Sequence, residues 1–163
     1  MTLSAEERDR LADIVRLQPT KNKELQERWG LDSGSEVHEY LESHLSDYYY
    51  RNEDSYICAT PEAADRTGVE PGIEGDEDGP QVIRVPELEA QVFDVVAGPD
   101  DRSESVVSVL QKVREAFDAD PEVDAVREAL QSLRRKGVVE VIYRAVPTFK
   151  LAVGRDEVEV EVV

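Results

Sequence analysis

The sequence predicts an α+β chain built as two modules of one plan, each with three helices followed by strands. Three observations predict it. Apolar residues recur at helical spacing over residues 5–45 and again over 86–133. Each helical stretch gives way to strand-type residues, at 48–59 and at 138–162. Between the two lies VEPGIEGDEDG, dense in Gly, Pro and acids.

Ser4-Ala5-Glu6-Glu7 has the spacing of a capping box, in which a serine hydroxyl and a glutamate carboxylate each satisfy a backbone N–H that the first turn leaves open. Leu11, Ile14 and Val15 then share one face, so a first helix is expected over 5–17, broken by Pro19. A short second helix is expected over 23–29, with Asn22 as N-cap, Leu25 and Trp29 turned inward and Gly30 as terminator. Ser33-Gly34-Ser35-Glu36 repeats the capping pattern, and Val37, Tyr40, Leu41 and Leu45 follow at i, i+3, i+4 and i+8, a third helix. Residues 48–51 are aromatic and strand-prone, Asn52-Glu53-Asp54-Ser55 is turn chemistry, and 55–59 returns, which makes a β-hairpin. Thr60-Pro61-Glu62 caps a short helix stopped by Gly68. Residues 69–83 then read as an acidic linker, whose early part has only Val69 and Ile73 as apolar side chains. The expected division is a first domain over 1–68, the linker over 69–83 and a second domain over 84–163.

The second domain repeats the order. Leu88, Val92, Val95 and Val96 make one stripe over 86–96. Asp101-Arg102-Ser103-Glu104 has the capping-box spacing ahead of Val106, Val109, Leu110, Val113 and Phe117. Asp120-Pro121-Glu122 supplies a cap, an N1 proline and a first-turn acid for a third helix buried by Val126, Ala129, Leu130 and Leu133 and ended by Gly137. Three antiparallel strands are expected after it: β-branched 138–145, the alternation of Phe149, Leu151 and Val153, and the strict alternation over 157–162.

Charge narrows the function classes. Asp and Glu number 37 against 19 Lys and Arg, for a net −18, and only 5 of the bases are Lys. The surplus is spread: 15 acids to 8 bases over 1–68, 5 to none over 69–83, and 17 to 11 over 84–163. Even carboxylate cover with little lysine is the composition of a protein from a salt-rich cytoplasm, where molar salt shortens the Debye length to ~3 Å. An ordinary acidic protein is the alternative. One cysteine leaves neither a disulfide framework nor a thiolate metal cluster. No apolar run approaches ~18 residues and the start is charged, so a cytoplasmic protein with no membrane partner is expected.

Three helices and a hairpin, twice over, is the order of elements of two winged helix-turn-helix domains in tandem, three helices plus a β-wing each. The residues add a resemblance. LADIVRLQPTKNKELQERWGLDSGSEVHEYLESHL resembles the core of archaeal winged-helix regulators, YICATPE is similar to the step from their last wing strand into a closing helix, and LQSLRRKGVVEVIYRAVPTFKLAV looks like a recognition helix running into a wing. With its acid bias, nearly the whole chain outside the linker resembles an uncharacterised haloarchaeal family of tandem winged-helix proteins. The resemblance implies a fold more than a function, because winged helices serve DNA, RNA and protein contact alike.

In a helix-turn-helix the third helix enters the major groove while nearby cations and helix N-termini hold phosphates. The first domain offers Ser33, Ser35 and His38 on its third helix, with Lys21 and Lys23 at the start of the second. Glu36, Glu39 and Glu42 share that third helix and would repel phosphate. The second domain offers Arg127 and Gln131, then Arg134, Arg135 and Lys136 at its helix end and Arg144 and Lys150 on the wing strands. Cations at a helix C-terminus also complement the macrodipole, which is their structural alternative. Salt sets a limit: with ~5 phosphate contacts, moving from ~0.1 to ~2 M salt weakens binding by ~10⁶, so base contacts, shape or bridging cations must supply affinity.

Catalytic and metal constellations are missing from the sequence. His38 and His44 stand six apart rather than four, Cys58 has no companion thiol, and no phosphate-binding glycine loop or nucleophile elbow is present. No enzyme and no cofactor are expected. The leading expectation is a DNA-binding transcriptional regulator, monomer or homodimer, since two modules in one chain can imitate a dimer on two half-sites. The alternative is a protein-interaction adaptor in a transcription or chromosome-organising complex, favoured by the carboxylate-rich third helix.

Overall fold

The computed structural model describes residues 3–76, 79–143 and 145–163. The chain is α+β and divides into two compact units, one ending at Gly72 and the other starting at Ile73.

In the first unit, α1 (Ala5–Leu17) starts with the expected capping box: Ser4 Oγ accepts the Glu7 N–H, and Glu7 accepts the Ser4 N–H at 2.8 Å. That backbone donor, followed by the hydroxyl, holds the Glu7 carboxyl below its usual range. Helix α2 (Asn22–Trp29) begins one residue earlier than expected, with Lys21 at the N-cap position, and Gly30 ends it in the left-handed conformation that favours glycine. Helix α3 (Gly34–His44) is capped by Ser33, whose hydroxyl accepts the Glu36 N–H. Strands β1 (Tyr49–Arg51) and β2 (Ile57–Ala59) form the hairpin, with Tyr50 opposite Cys58 and Arg51 opposite Ile57. Helix α4 (Pro61–Thr67), capped by Thr60, follows. Leu11, Ile14, Val15, Leu25, Val37, Leu41, Leu45 and Ile57 are fully buried and form one core. The segment before α2 also reaches the hairpin: Thr20 and Ile57 exchange backbone hydrogen bonds of 2.9 and 2.7 Å.

The second unit departs from expectation at its start. Residues expected as linker are a strand pair, β3 (Ile73–Asp76) and β4 (Gly79–Val85), with 77 and 78 outside the described residues. The physical reason is alternation on a short scale. Ile83 and Val85 are buried against the core, while Glu74 lies outward and accepts Arg84 at 2.7 Å, so this acid is on the solvent face of an edge strand. The glycines permit the close approach, since a Cβ on Gly75 would stand 2.4 Å from the Gly79 carbonyl oxygen.

Helix α5 (Glu87–Val95) follows, and then a two-residue strand, β5 (Glu104–Ser105), which starts at the residue expected to close the capping box Asp101–Glu104. The cap of α6 (Val106–Phe117) is instead Ser105, which accepts the Ser108 N–H, and the Asp101 carboxylate accepts Gly98 N–H in the preceding turn. Helix α7 (Val123–Arg135) starts after Glu122 with no side-chain cap bond, two residues later than the cap expected at Asp120, whose carboxylate pairs with Arg114 at 2.8 Å. Strands β6 (Val139–Ile142) and β7 (Thr148–Leu151) pair antiparallel, and β5 lies on the other side of β7, giving the order β5-β7-β6. The last strand, β8 (Glu159–Val162), does not extend this sheet as expected. A 3-10 turn at Arg155–Glu157 redirects it beside β4, where it pairs in parallel and turns Val160 toward the core.

The two units share a connection pattern. In each, the segment between the first two helices pairs with the second strand of the hairpin that follows the third helix: Thr20 with β2, and β5 with β7. Among the described residues no helix is long and apolar enough to cross a membrane.

Leu41 lies at the centre of the first core and Phe149 at that of the second, both buried. Leu41→Ala is expected to cost about 2–5 kcal/mol and Phe149→Ala about 3–5 kcal/mol, measured by denaturant unfolding in molar KCl. Gly72→Ala is expected to unsettle the first unit without touching a side chain, because a Cβ there would lie 2.0 Å from the Arg16 carbonyl oxygen.

Candidate nucleic-acid interface

Four bases of the first unit are neutralised by acids on their own or neighbouring helices. Arg10 pairs with Glu6 at 3.1 Å, Arg16 and Arg28 with Asp13 at 3.8 and 3.1 Å, and Arg66 with Glu62 at 3.4 Å. Arg8, Lys21, Lys23 and Arg51 have no carboxylate partner within ion-pair distance among the described residues. Three of these four belong to segments that Asn22 ties together. Asn22, between the two lysines, donates its amide to the Gly34 carbonyl at 3.4 Å, at the start of α3, and accepts the Arg51 guanidinium at 3.2 Å, from β1. Arg51 also donates to the Ser55 carbonyl at 3.2 Å, which anchors it across the hairpin turn. The start of α2, the start of α3 and the hairpin therefore converge on one cationic face.

Of the residues expected to contact DNA in this unit, Ser35 and His38 are exposed on α3 and Lys23 is exposed on α2. Ser33 is occupied as the α3 cap, and Lys21 is half-buried at the α2 cap position. Arg51 was not anticipated, because its place beside the helix starts follows from hairpin register, which local sequence does not display.

A groove of about 350 Å³ runs between α3 and β1, lined by His38, Glu42, Ser46, Tyr49, Tyr50 and Arg51. The Tyr49 hydroxyl donates to Glu42, so this carboxylate is held in one orientation. Burial, with Glu42 adding to it, pushes the Tyr49 phenol up to about 12. Tyr50 is half-exposed at the rim. Burial likewise raises the Cys58 thiol, which makes it packing rather than a reactive nucleophile.

The second unit disperses its candidates. Arg127, Gln131 and Arg134 form a row along the outer face of α7. Arg127 is held by Asp124 at 2.5 Å, and Arg134 donates to Gln131 at 3.4 Å and lies 5.8 Å from the Tyr143 ring centre. Arg135 and Lys136 end the helix as expected, but they are 7 and 5 % exposed and offer no basic surface. Lys136 donates to Ser132 at 3.1 Å and reaches Glu89 of α5 at 3.9 Å. The reason is that the last turn of α7 packs against α5 before Gly137, at φ +82°, reverses the chain, so the long aliphatic stems are covered. Lys150 donates to the Pro99 carbonyl at 3.2 Å and pairs with Glu140 at 3.5 Å. Arg144 lies outside the described residues. Arg127 and Gln131 border a second groove, of about 180 Å³, with Val107 and Val146 exposed along it. Among the described residues no group of three His, Cys, Asp or Glu is placed to hold a metal ion.

The Tyr49 environment has a measurable signature. The folded state favours the neutral phenol, so its contribution to stability is whole below pH 10 and is lost as pH rises towards 12. Tyrosinate absorbance should show one tyrosine titrating near 12, and Glu42→Gln should lower that value without restoring the ordinary one, because burial is the larger cause.

A search of the curated proteins and of the solved structures finds no match for this chain. A family model matches residues 3–163, and by that match the chain belongs to the family of unknown function DUF5797.

Proposed function

We propose that the chain is a DNA-binding transcriptional regulator made of two winged helix-turn-helix units, working in a salt-rich archaeal cytoplasm. The observation that carries the reading is that Lys21, Lys23 and Arg51, all without acid partners among the described residues, belong to segments that Asn22 ties together at the starts of α2 and α3. In a chain with 37 acids, leaving these cations unpaired on one face costs attractive contacts available elsewhere, and a phosphate backbone would supply the missing anions. The repeated connection, with a short pairing segment between the first two helices and a hairpin after the third, supports the winged-helix reading of both units. The first unit then provides the main contact. In the second, the row of Arg127, exposed, and Gln131 and Arg134, both half-buried, is the remaining candidate surface.

One observation favours protein docking for the second unit instead. Val107, Tyr143 and Val146 are 53, 72 and 61 % exposed near the outer face of α7, and Arg127 is already neutralised.

The test is a fluorescence-anisotropy titration of duplex genomic fragments over a range of KCl up to molar concentrations. Lys21→Ala, Lys23→Ala and Arg51→Ala should each weaken binding to every sequence and lower the slope of log K against log salt by about 0.9 per lost phosphate contact. Slopes unchanged in the triple variant, or no fragment bound more tightly than random DNA, would refute the proposal.

A further inference from the structure

The acids on α3 look at first like an obstacle to DNA, but the structure gives them different tasks. Glu36 turns back to accept the Asp32 N–H at 2.7 Å and so belongs to the helix start. Glu42 lies two turns further on, in the groove with His38, and the two stand at i and i+4 on the same exposed side as Ser35. The Tyr49 hydroxyl occupies one of its oxygens, Oε1, and no cation pairs with it among the described residues. Glu42 is therefore an oriented, unneutralised carboxylate, flanked in the groove by Arg51 and lying on the helix that the proposed function sets against the major groove.

We propose that Glu42 is a specificity-determining residue that reads cytosine, its Oε2 accepting the exocyclic N4 amine in the major groove, with His38 one turn earlier against a neighbouring base edge. The inference rests on the DNA-binding reading above and adds which base is selected and by what. A carboxylate can only accept hydrogen bonds, so it is matched to a base edge that offers a donor. Guanine presents N7 and O6 and thymine presents O4, all acceptors that repel it. Adenine offers its N6 amine beside an N7 acceptor, whereas cytosine offers the N4 amine alone. The contact also suits high salt. Phosphate contacts lose strength with each increment of salt through counterion release, while a base-edge hydrogen bond releases no counterion and keeps its discrimination.

The experiment is selection from a randomised duplex library in molar KCl, with the full chain and with Glu42→Gln, an exposed and nearly isosteric change that leaves the fold intact. The wild type should enrich a motif containing a fixed cytosine. Glu42→Gln should move that position to adenine, which glutamine bonds through N6 and N7, with a change in relative affinity of about 10- to 100-fold and the other positions kept. Lys23→Ala should weaken all sequences alike and keep the cytosine. An identical motif from Glu42→Gln would overturn the role of Glu42 and leave DNA binding standing. A wild type that enriches nothing over the starting pool would remove the DNA-binding reading and this inference with it.

Discussion

Two backbone hydrogen bonds between Thr20 and Ile57 organise the first unit. They tie the segment leaving α1 to the second strand of the hairpin, and Thr20 is fully buried in doing so. Gln18 strengthens the junction, since its side-chain oxygen accepts the Ala59 N–H at 3.0 Å and its amide donates to the Val15 carbonyl. With β2 pinned there, register places Arg51 on β1 opposite Ile57, within reach of Asn22. The cationic face and the groove beside α3 both follow from that register. The second unit uses the same device at greater length, with Glu104 and Ser105 against Phe149 and Thr148, and Ser103 Oγ 2.8 Å from Thr148 Oγ1.

Much of this was legible in the sequence because it is encoded over short distances. The capping box at Ser4 and Glu7, the glycine that ends α2, the proline that opens α4 and the burial of Leu11, Ile14, Val37 and Leu41 all depend on residues within one or two turns of each other. What escaped depends on partners far along the chain. Glu74 looks like part of a linker until Arg84 of the neighbouring strand is found to pair with it. Arg135 and Lys136 look like a basic surface until α5 covers their stems. The final alternating strand is plainly a strand, but its neighbour, β4, is unpredictable from pattern alone because the acids and valines would suit either sheet. In the candidate site, Lys21, Lys23, Ser35 and His38 were readable from helix positions, whereas Arg51 and the orienting of Glu42 by Tyr49 required the hairpin register.

The acid surplus has two roles in this molecule. Some acids are spent locally: Glu6, Asp13, Glu62, Asp120, Asp124 and Glu140 each hold a base, and at exposed sites such pairs are worth ~0–1 kcal/mol apiece. Their larger effect is to remove arginines from the field, so that the few cations left without carboxylates stand out against an acidic background. A −18 chain thus need not present one uniform potential, and in the first unit Arg51, beside Asn22, is one of the bases that no carboxylate holds among the described residues.

The parallel pairing of β8 with β4 sets an order of assembly during synthesis. Residues 82–85 must wait for residues 159–162 before their sheet is complete, whereas every strand pairing in the first unit closes within residues 20–59. Contacts between distant residues carry a larger loop-closure cost and form late, and domains nearest the N-terminus fold first as a chain emerges. The first unit can therefore be folded, with its cationic face assembled, while Ile83 and Val85 are still uncovered on one side of their strand. A nascent chain interrupted before residue 159 would carry a finished first unit joined to an open apolar edge, a species to which chaperones and proteases respond.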